Sequence, residues 1–424
     1  MMKLSSSIAC FCYLFMIIIS LYSVEAREVV YNVVTKFGAN PDGKTDTTNS
    51  FLNAWKTACN SAGYSSAIIY VPRGKYVLNQ AIFKGRCKNN IYITFQIDGI
   101  LLSPKDYSVL GKTGKWIAFE DVSRVSIKGG TIDARGMALW SCKLAEKKCP
   151  AGATVSVAPM KFSVTFVNDF IQRHTSQSLL FSNSKDITIT GLTSINSQMF
   201  HIVINGCQNV HMEGVKVKAS GKSPNTDGIH VQQSTNVNII SATIMTGDDC
   251  ISIGPGTFHL WIEKVVCGPG HGISIGSLGK GFDEPGVQNV TVKSVTFSNT
   301  ENGLRIKTWG RPSDGFVRGV NFQGARMNNV NNPIIIDQNY CPHNEDCPDQ
   351  ISGVQISDVH YKDISGTSAT RVAVNFDCSS KNPCKDITLQ NVKLTYRNQP
   401  AHATCINADG SASGFVEPAS CLSK

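Results

Sequence analysis

The chain has 424 residues, of which 42% are hydrophobic and only 17% charged, with 36 Gly and 16 Pro. A charged fraction below the ~25% usual for soluble domains, beside ordinary hydrophobicity, excludes disorder and a coiled coil and leaves a large folded core. Forty Lys and Arg against 31 Asp and Glu give +9, a field that favours acidic partners: nucleic acid, anionic lipid or an acidic polysaccharide.

At the amino end, Lys3 precedes an apolar run from Ile8 to Leu21, and Val24-Glu25-Ala26 forms a small-residue junction. This reads as a secretory signal cleaved after Ala26, because the run is shorter than the ~20 residues that span a bilayer. Residues 1–26 are therefore expected to leave, and 27–424 to form a single secreted domain. Cleavage removes Cys10 and Cys12 from the 15 cysteines and leaves 13. In an oxidising compartment most should pair. Neighbours suggest Cys142 with Cys149, Cys250 with Cys267, Cys341 with Cys347, Cys378 with Cys384 and Cys405 with Cys421. Cys59 with Cys87 would complete the set, leaving Cys207 over. A zinc site at Cys341, His343 and Cys347 lacks a second ligand pair at metal-site spacing, so a loop disulfide is the better reading.

Further along, Asp46, Thr47 and Thr48 offer helix caps ahead of Phe51, Trp55 and Ala58, which recur at helical spacing. One short helix is expected there. Beyond it, short β-branched runs closed by Gly, Asn, Asp or Ser dominate, with little sign of more helix. The runs beginning at Asp186, Asn209, Asn236, Asn289, Gly353 and Asp386 resemble one another at separations that signal stacked repeats. A right-handed parallel β-helix fits best, since a sandwich or propeller would need hairpin signals that are sparse here.

A second run in each coil reads Asp227-Gly228-Ile229-His230-Val231, Asp249-Cys250-Ile251-Ser252-Ile253, His271-Gly272-Ile273-Ser274-Ile275 and Asn302-Gly303-Leu304-Arg305-Ile306-Lys307. Alternation points the apolar residues inward and those between them outward, and stacking at about 4.8 Å aligns equivalent positions. Asp227, Asp249 and His271 should form a column beside Asp248, with Arg305 and Lys307 one coil on. Unpaired neighbouring carboxylates repel and raise one another's pKa, a cost typical of active sites rather than of a solvated face. Paired carboxylates suit glycosidic bond hydrolysis, one donating a proton to the leaving oxygen and another activating water. Adjacent cations suit an acidic sugar. No nucleophile elbow appears, and Gly268, Gly270 and Gly272 lack the Lys and Ser/Thr of a phosphate loop, so they read as turn residues.

Asn225-Thr226-Asp227, Gly247-Asp248-Asp249, Gly270-His271-Gly272 and Arg305-Ile306-Lys307, in that order, resemble the four motifs of polygalacturonases, glycoside hydrolase family 28. The likeness to plant members extends from about Val33 to Cys421. It implies inverting hydrolysis of α-1,4-galacturonosyl bonds in de-esterified pectin, with Asp248 as general acid and Asp227 and Asp249 holding and activating water. His271 would support the protonation of the acid, and Arg305 and Lys307 would bind the substrate carboxylate. Asn225 belongs to the first motif, and Tyr340 matches a position contacting the sugar. No metal or cofactor is implied. The expected protein is a monomer in the extracellular cell wall, binding polygalacturonate and neither nucleic acid nor, after cleavage, membrane.

One stretch departs from the pattern: Val155 to Gln177 intervenes where relatives run from Thr154 almost directly to Ser178. It reads as a surface loop on a solenoid turn or, the favoured reading, as an intron translated in frame. Asn289-Val290-Thr291 is a glycosylation sequon inside an expected strand. Two rivals remain: a catalytically dead pectin-binding wall protein, opposed by the complete set of Asp, His, Arg and Lys, and a calcium-dependent pectate lyase, which would not need the paired acids.

Overall fold

The computed structural model describes residues 27–88, 91–111, 114–145, 149, 177–342 and 347–423. Residues 1–26 and Val155 to Ser176 lie outside them, whereas Gln177, the last residue of the atypical stretch, opens the strand Gln177–Ser182. No helix among the described residues is long and apolar enough to cross a membrane.

The architecture is all-β with stacked parallel strands. Among the described residues one sheet has 11 strands, each hydrogen-bonded to the strands of the adjacent coils. Its central members are β1 (Ile229–Gln232), β2 (Ile251–Ile253), β3 (Ile273–Leu278), β4 (Asn302–Trp309) and β5 (Asn332–Tyr340). Ile229, Ile251, Ile273, Leu304 and Ile334 lie in one register and are fully buried, as are Val231, Ile253, Ile275, Ile306 and Ile336. Alternation sends His230, Ser252, Ser274 and Arg305 to the opposite face.

The other large sheet carries the repeat read from the sequence. Ile187, Val210, Val237, Leu260, Val290, Val320, Val359 and Ile387 stack in register inside the solenoid. Each follows a corner residue with positive φ: Asp186 (56°), Asn209 (57°), Asn236 (55°), His259 (57°), Asn289 (57°), Gly319 (66°), Asp358 (56°) and Asp386 (54°). The left-handed region is open mainly to Gly, Asn and Asp, which is why the repeats look alike. Corner side chains also form a ladder, with Asn209 Nδ2 donating to Asp186 Oδ1 at 2.9 Å and Asn236 Nδ2 to Asn209 Oδ1 at 3.2 Å. Asn289 is an exposed rung of this ladder, its amide 3.4 Å from His259 Nδ1.

Helix α1 (Thr48–Cys59) buries Phe51, Trp55 and Ala58. The Trp55 ring lies 5.6, 6.0 and 5.8 Å from those of Phe83, Phe95 and Phe119, and Phe119 stacks on Phe181 at 4.7 Å. Such pairs add about 0.5–1.5 kcal/mol each beyond area burial. The capping group is Asp46, whose Oδ1 accepts the Thr48 N–H at 2.9 Å, while the Thr47 hydroxyl donates to Val77 O at 3.0 Å. A second helix, α2 (Met137–Leu144), gives no periodic signal in the sequence beyond buried Leu139 and Trp140.

Among the described residues, disulfides join Cys59–Cys87, Cys142–Cys149, Cys250–Cys267, Cys341–Cys347, Cys378–Cys384 and Cys405–Cys421. Cys207 is a buried free thiol, its pKa pushed up to about 11 by burial.

Candidate active site

Asp227, Asp249 and His271 each stand two residues before the in-register Ile229, Ile251 and Ile273, so they occupy one position on three successive coils. Gly272 has φ +90°, and a Cβ there would meet Asn302 O at 2.1 Å, so only glycine lets the chain follow His271 this closely to the next coil. Asp227, Asp248 and Asp249 each offer a carboxylate oxygen within 4.8 Å of the others. Asp227 is 6% and Asp249 1% exposed, whereas the Asp248 side chain keeps 20% of its surface open.

The three carboxylates are not equivalent. Asp249 has both oxygens engaged: Ser274 Oγ donates to Oδ1 at 2.6 Å and Lys307 Nζ to Oδ2 at 2.8 Å. Burial opposes the Lys307 charge, but Asp249 holds its pKa above the ordinary value. Asp248 Oδ1 faces His271 Nδ1 at 3.1 Å, and His271 Nε2 lies 3.4 Å from Glu301 Oε2. Burial would raise the Asp248 pKa, yet the hydrogen bond and charge of His271, then Lys307 and the Asp249 N–H, leave it lowered. Burial would depress His271, and Asp248, Glu301 and Asp249 instead push it up to about 9. Asp227 is raised well above the carboxylate range by burial and then by the charges of Asp248 and Asp249. Burial and the repulsion anticipated among the acids therefore raise Asp227, while His271 favours the ionised form of Asp248.

On the carboxy-terminal side, Arg305 and Lys307 leave β4 on the outer face. Arg305 Cζ and Lys307 Nζ lie 5.1 and 5.3 Å from the Tyr340 ring centroid, and Trp309 meets the same ring at 5.3 Å. Arg305 Nη2 is 3.9 Å from Asp337 Oδ2, and its buried Nε has no hydrogen-bond partner. Asn225 (φ 56°) sits half-buried in the turn before Asp227. The aspartates form the one group among the described residues whose geometry suits a metal ion. Their oxygen donors fit a hard cation, but Lys307 already places a positive charge on Asp249.

Residues 59–421 match the sequence profile of Glycosyl hydrolases family 28. The chain belongs to this family. It is 57% identical over 401 residues to a polygalacturonase of Prunus persica, covering 94% of this chain and 95% of that one. It is 38% identical over 399 residues to an exopolygalacturonase of Platanus acerifolia, covering 93% and 98%. In fold it is similar to endo-xylogalacturonan hydrolase from Aspergillus tubingensis (TM-score 0.72, 21% identity, 91% and 99% covered). The polygalacturonase from Erwinia carotovora shares the fold at a TM-score of 0.60 with 21% identity, covering 89% and 96%.

As a family 28 glycoside hydrolase, the chain adds three groups that the motifs do not carry. Glu301 faces His271 from the residue before β4, Ser274 fixes Asp249 from β3, and Lys143 reaches Met199 from α2, where the charge of Asp248 acts on it. Ser274 could have been found from its place in the alternation. Lys143 could not, because α2 lies outside the repeat.

Proposed function

We propose that the protein is a secreted polygalacturonase that hydrolyses α-1,4-galacturonosyl bonds of de-esterified pectin in the plant cell wall, with inversion at the anomeric carbon. The observation that carries this reading is the cluster of three carboxylates within 4.8 Å, bordered by His271 and by the paired cations Arg305 and Lys307. The polygalacturonase names of the similar plant proteins support it. In this reading the first 26 residues are a signal, the domain from residue 27 onward works as a monomer, and α1 caps the amino end of a right-handed solenoid.

Asp248 is the general acid, being the most open of the three. Its proton comes from the His271 imidazolium: as the glycosidic oxygen draws near, the Nδ1 proton passes to Asp248 and on to the leaving oxygen, leaving neutral imidazole. Asp249, fixed by Ser274 and Lys307, accepts a proton from the attacking water, and Asp227 orients that water. Arg305, Lys307, Tyr340 and Asn225 bind the sugar acid. Oxygens this close resemble the short spacing of retaining enzymes more than the ~6.5–9.5 Å of inverting ones. Both candidate nucleophiles are handicapped, however: Asp249 has both oxygens held by hydrogen bonds, and burial disfavours the ionised form of Asp227. That occupancy favours direct attack by water over a covalent intermediate.

The test is release of reducing ends from polygalacturonate by the purified chain with a chelator present. Activity that survives chelation supports the metal-free hydrolase. No release, or release of unsaturated products that needs calcium, overturns it.

A further inference from the structure

Lys143 is a cation that interacts with the charge of Asp248 and makes no salt bridge among the described residues. It lies in the last turn of α2, next to Cys142, whose disulfide to Cys149 ties down that end of the helix. Its side chain is partly buried, and its Nζ is 2.7 Å from Met199 Sδ rather than from an acid. A thioether is a weak acceptor, so desolvation of the ammonium is left poorly compensated. Burial draws the Lys143 pKa down to about 8, and the charge of Asp248 acts against that fall. A structural side chain at this place would do better as an apolar one.

Its position along the solenoid gives it a purpose. Met199 precedes Ile202–Asn205, the strand one coil before β1, whereas Arg305 and Lys307 leave β4, three strands after β1. Cations therefore flank the carboxylate cluster on both sides along the solenoid axis. We propose that Lys143 binds the carboxylate of a uronate residue on the amino-terminal side of Asp248, so that the scissile bond lies between two cation sites and both sugars must carry a free carboxylate. This rests on the polygalacturonase reading and deepens it to a substrate requirement.

The experiment compares wild type, Lys143→Met, Lys143→Gln and Lys143→Arg on polygalacturonate and on its methyl ester, with thermal melts as a fold control. Losing one charge-assisted hydrogen bond should raise KM for polygalacturonate in the Met and Gln variants by about tenfold or more, with kcat much less affected. Lys143→Arg should restore most of the affinity, and the preference for acid over ester should shrink in the two neutral variants. An unchanged KM in a folded neutral variant overturns the proposal, as does an equal loss on acid and ester. A wild type inactive on polygalacturonate would instead overturn the function on which it rests.

Discussion

His271 Nδ1 lies 3.1 Å from Asp248 Oδ1, while its Nε2 faces Glu301 at 3.4 Å. The imidazole is thus held between two carboxylates, and the only one of the pair inside the aspartate cluster is the proposed acid. If Asp248 delivers the proton, Asp248→Asn should cut reducing-end release from polygalacturonate by about 10²–10⁴-fold, the span of general acid catalysis, with an unchanged circular dichroism spectrum. Near-normal turnover in a folded variant would move the acid role to another residue.

The same contact sets a pH dependence of stability. The His271 pKa rises from 6.5 to about 9, because the pull of Asp248, Glu301 and Asp249 exceeds the cost of burial. A raised pKa means the folded state binds the proton more tightly. Its stabilisation is full below the unfolded value and is lost as pH climbs through the folded one. Melting temperature should therefore fall between pH 6.5 and about 9, and His271→Gln should flatten that part of the curve. Asp227 is also raised, by burial and then by Asp248 and Asp249, and adds the same sign to the curve. Parallel curves for wild type and variant would count against the ion pair.

Stacking explains what the sequence makes legible. Because equivalent residues of successive coils share one environment, Asn or Asp at the left-handed corner and a β-branched residue after it recur visibly, as at Asn209 and Asn236. Between Asp186 and Asp386 two coils escape notice: Phe258–Glu263, where His259 takes the corner, and Phe316–Gln323, where Gly319 does. Gly353 and Val354 precede their strand, Gln355–Ser368, rather than opening it. In the site, the two-residue offset before Ile229, Ile251 and Ile273 is readable as a column. The reach of Lys307 back to Asp249 is not, since a long side chain crossing coils leaves no periodic trace. Lys143 is illegible for a related reason: it arrives from a helix whose docking depends on tertiary contacts.

Lys307 carries a structural load as well as a proposed binding role. Its ammonium is paired at 2.8 Å with Asp249, and the two side chains are only 10% and 2% exposed. Removing one partner of a buried pair leaves a charge without compensation and costs about 3–5 kcal/mol. Lys307→Met should therefore lower stability in urea unfolding on that scale, besides reducing turnover. Adding Asp249→Leu should recover much of the stability and none of the activity. If Lys307→Met unfolds at the wild-type midpoint, the ion pair contributes nothing to the fold.

The crowding of the aspartates leads to a stereochemical outcome. A covalent route needs a carboxylate oxygen free to attack the anomeric carbon, yet Asp249 is engaged by Ser274 at 2.6 Å and by Lys307 at 2.8 Å, and burial, with the charges of Asp248 and Asp249, disfavours the ionised form of Asp227. Water is then the favoured nucleophile, and a single displacement at an α-linkage delivers the β anomer. Proton NMR of the first reducing ends from polygalacturonate, recorded before mutarotation, should show the β signal first and the α signal growing in afterwards. The α anomer appearing first would mean two displacements, one of them through an aspartate. Ser274→Ala should then be the informative companion: it frees the Oδ1 of Asp249 without touching Lys307, and a switch toward the α product in that variant alone would identify engagement of Asp249 as the feature that enforces inversion.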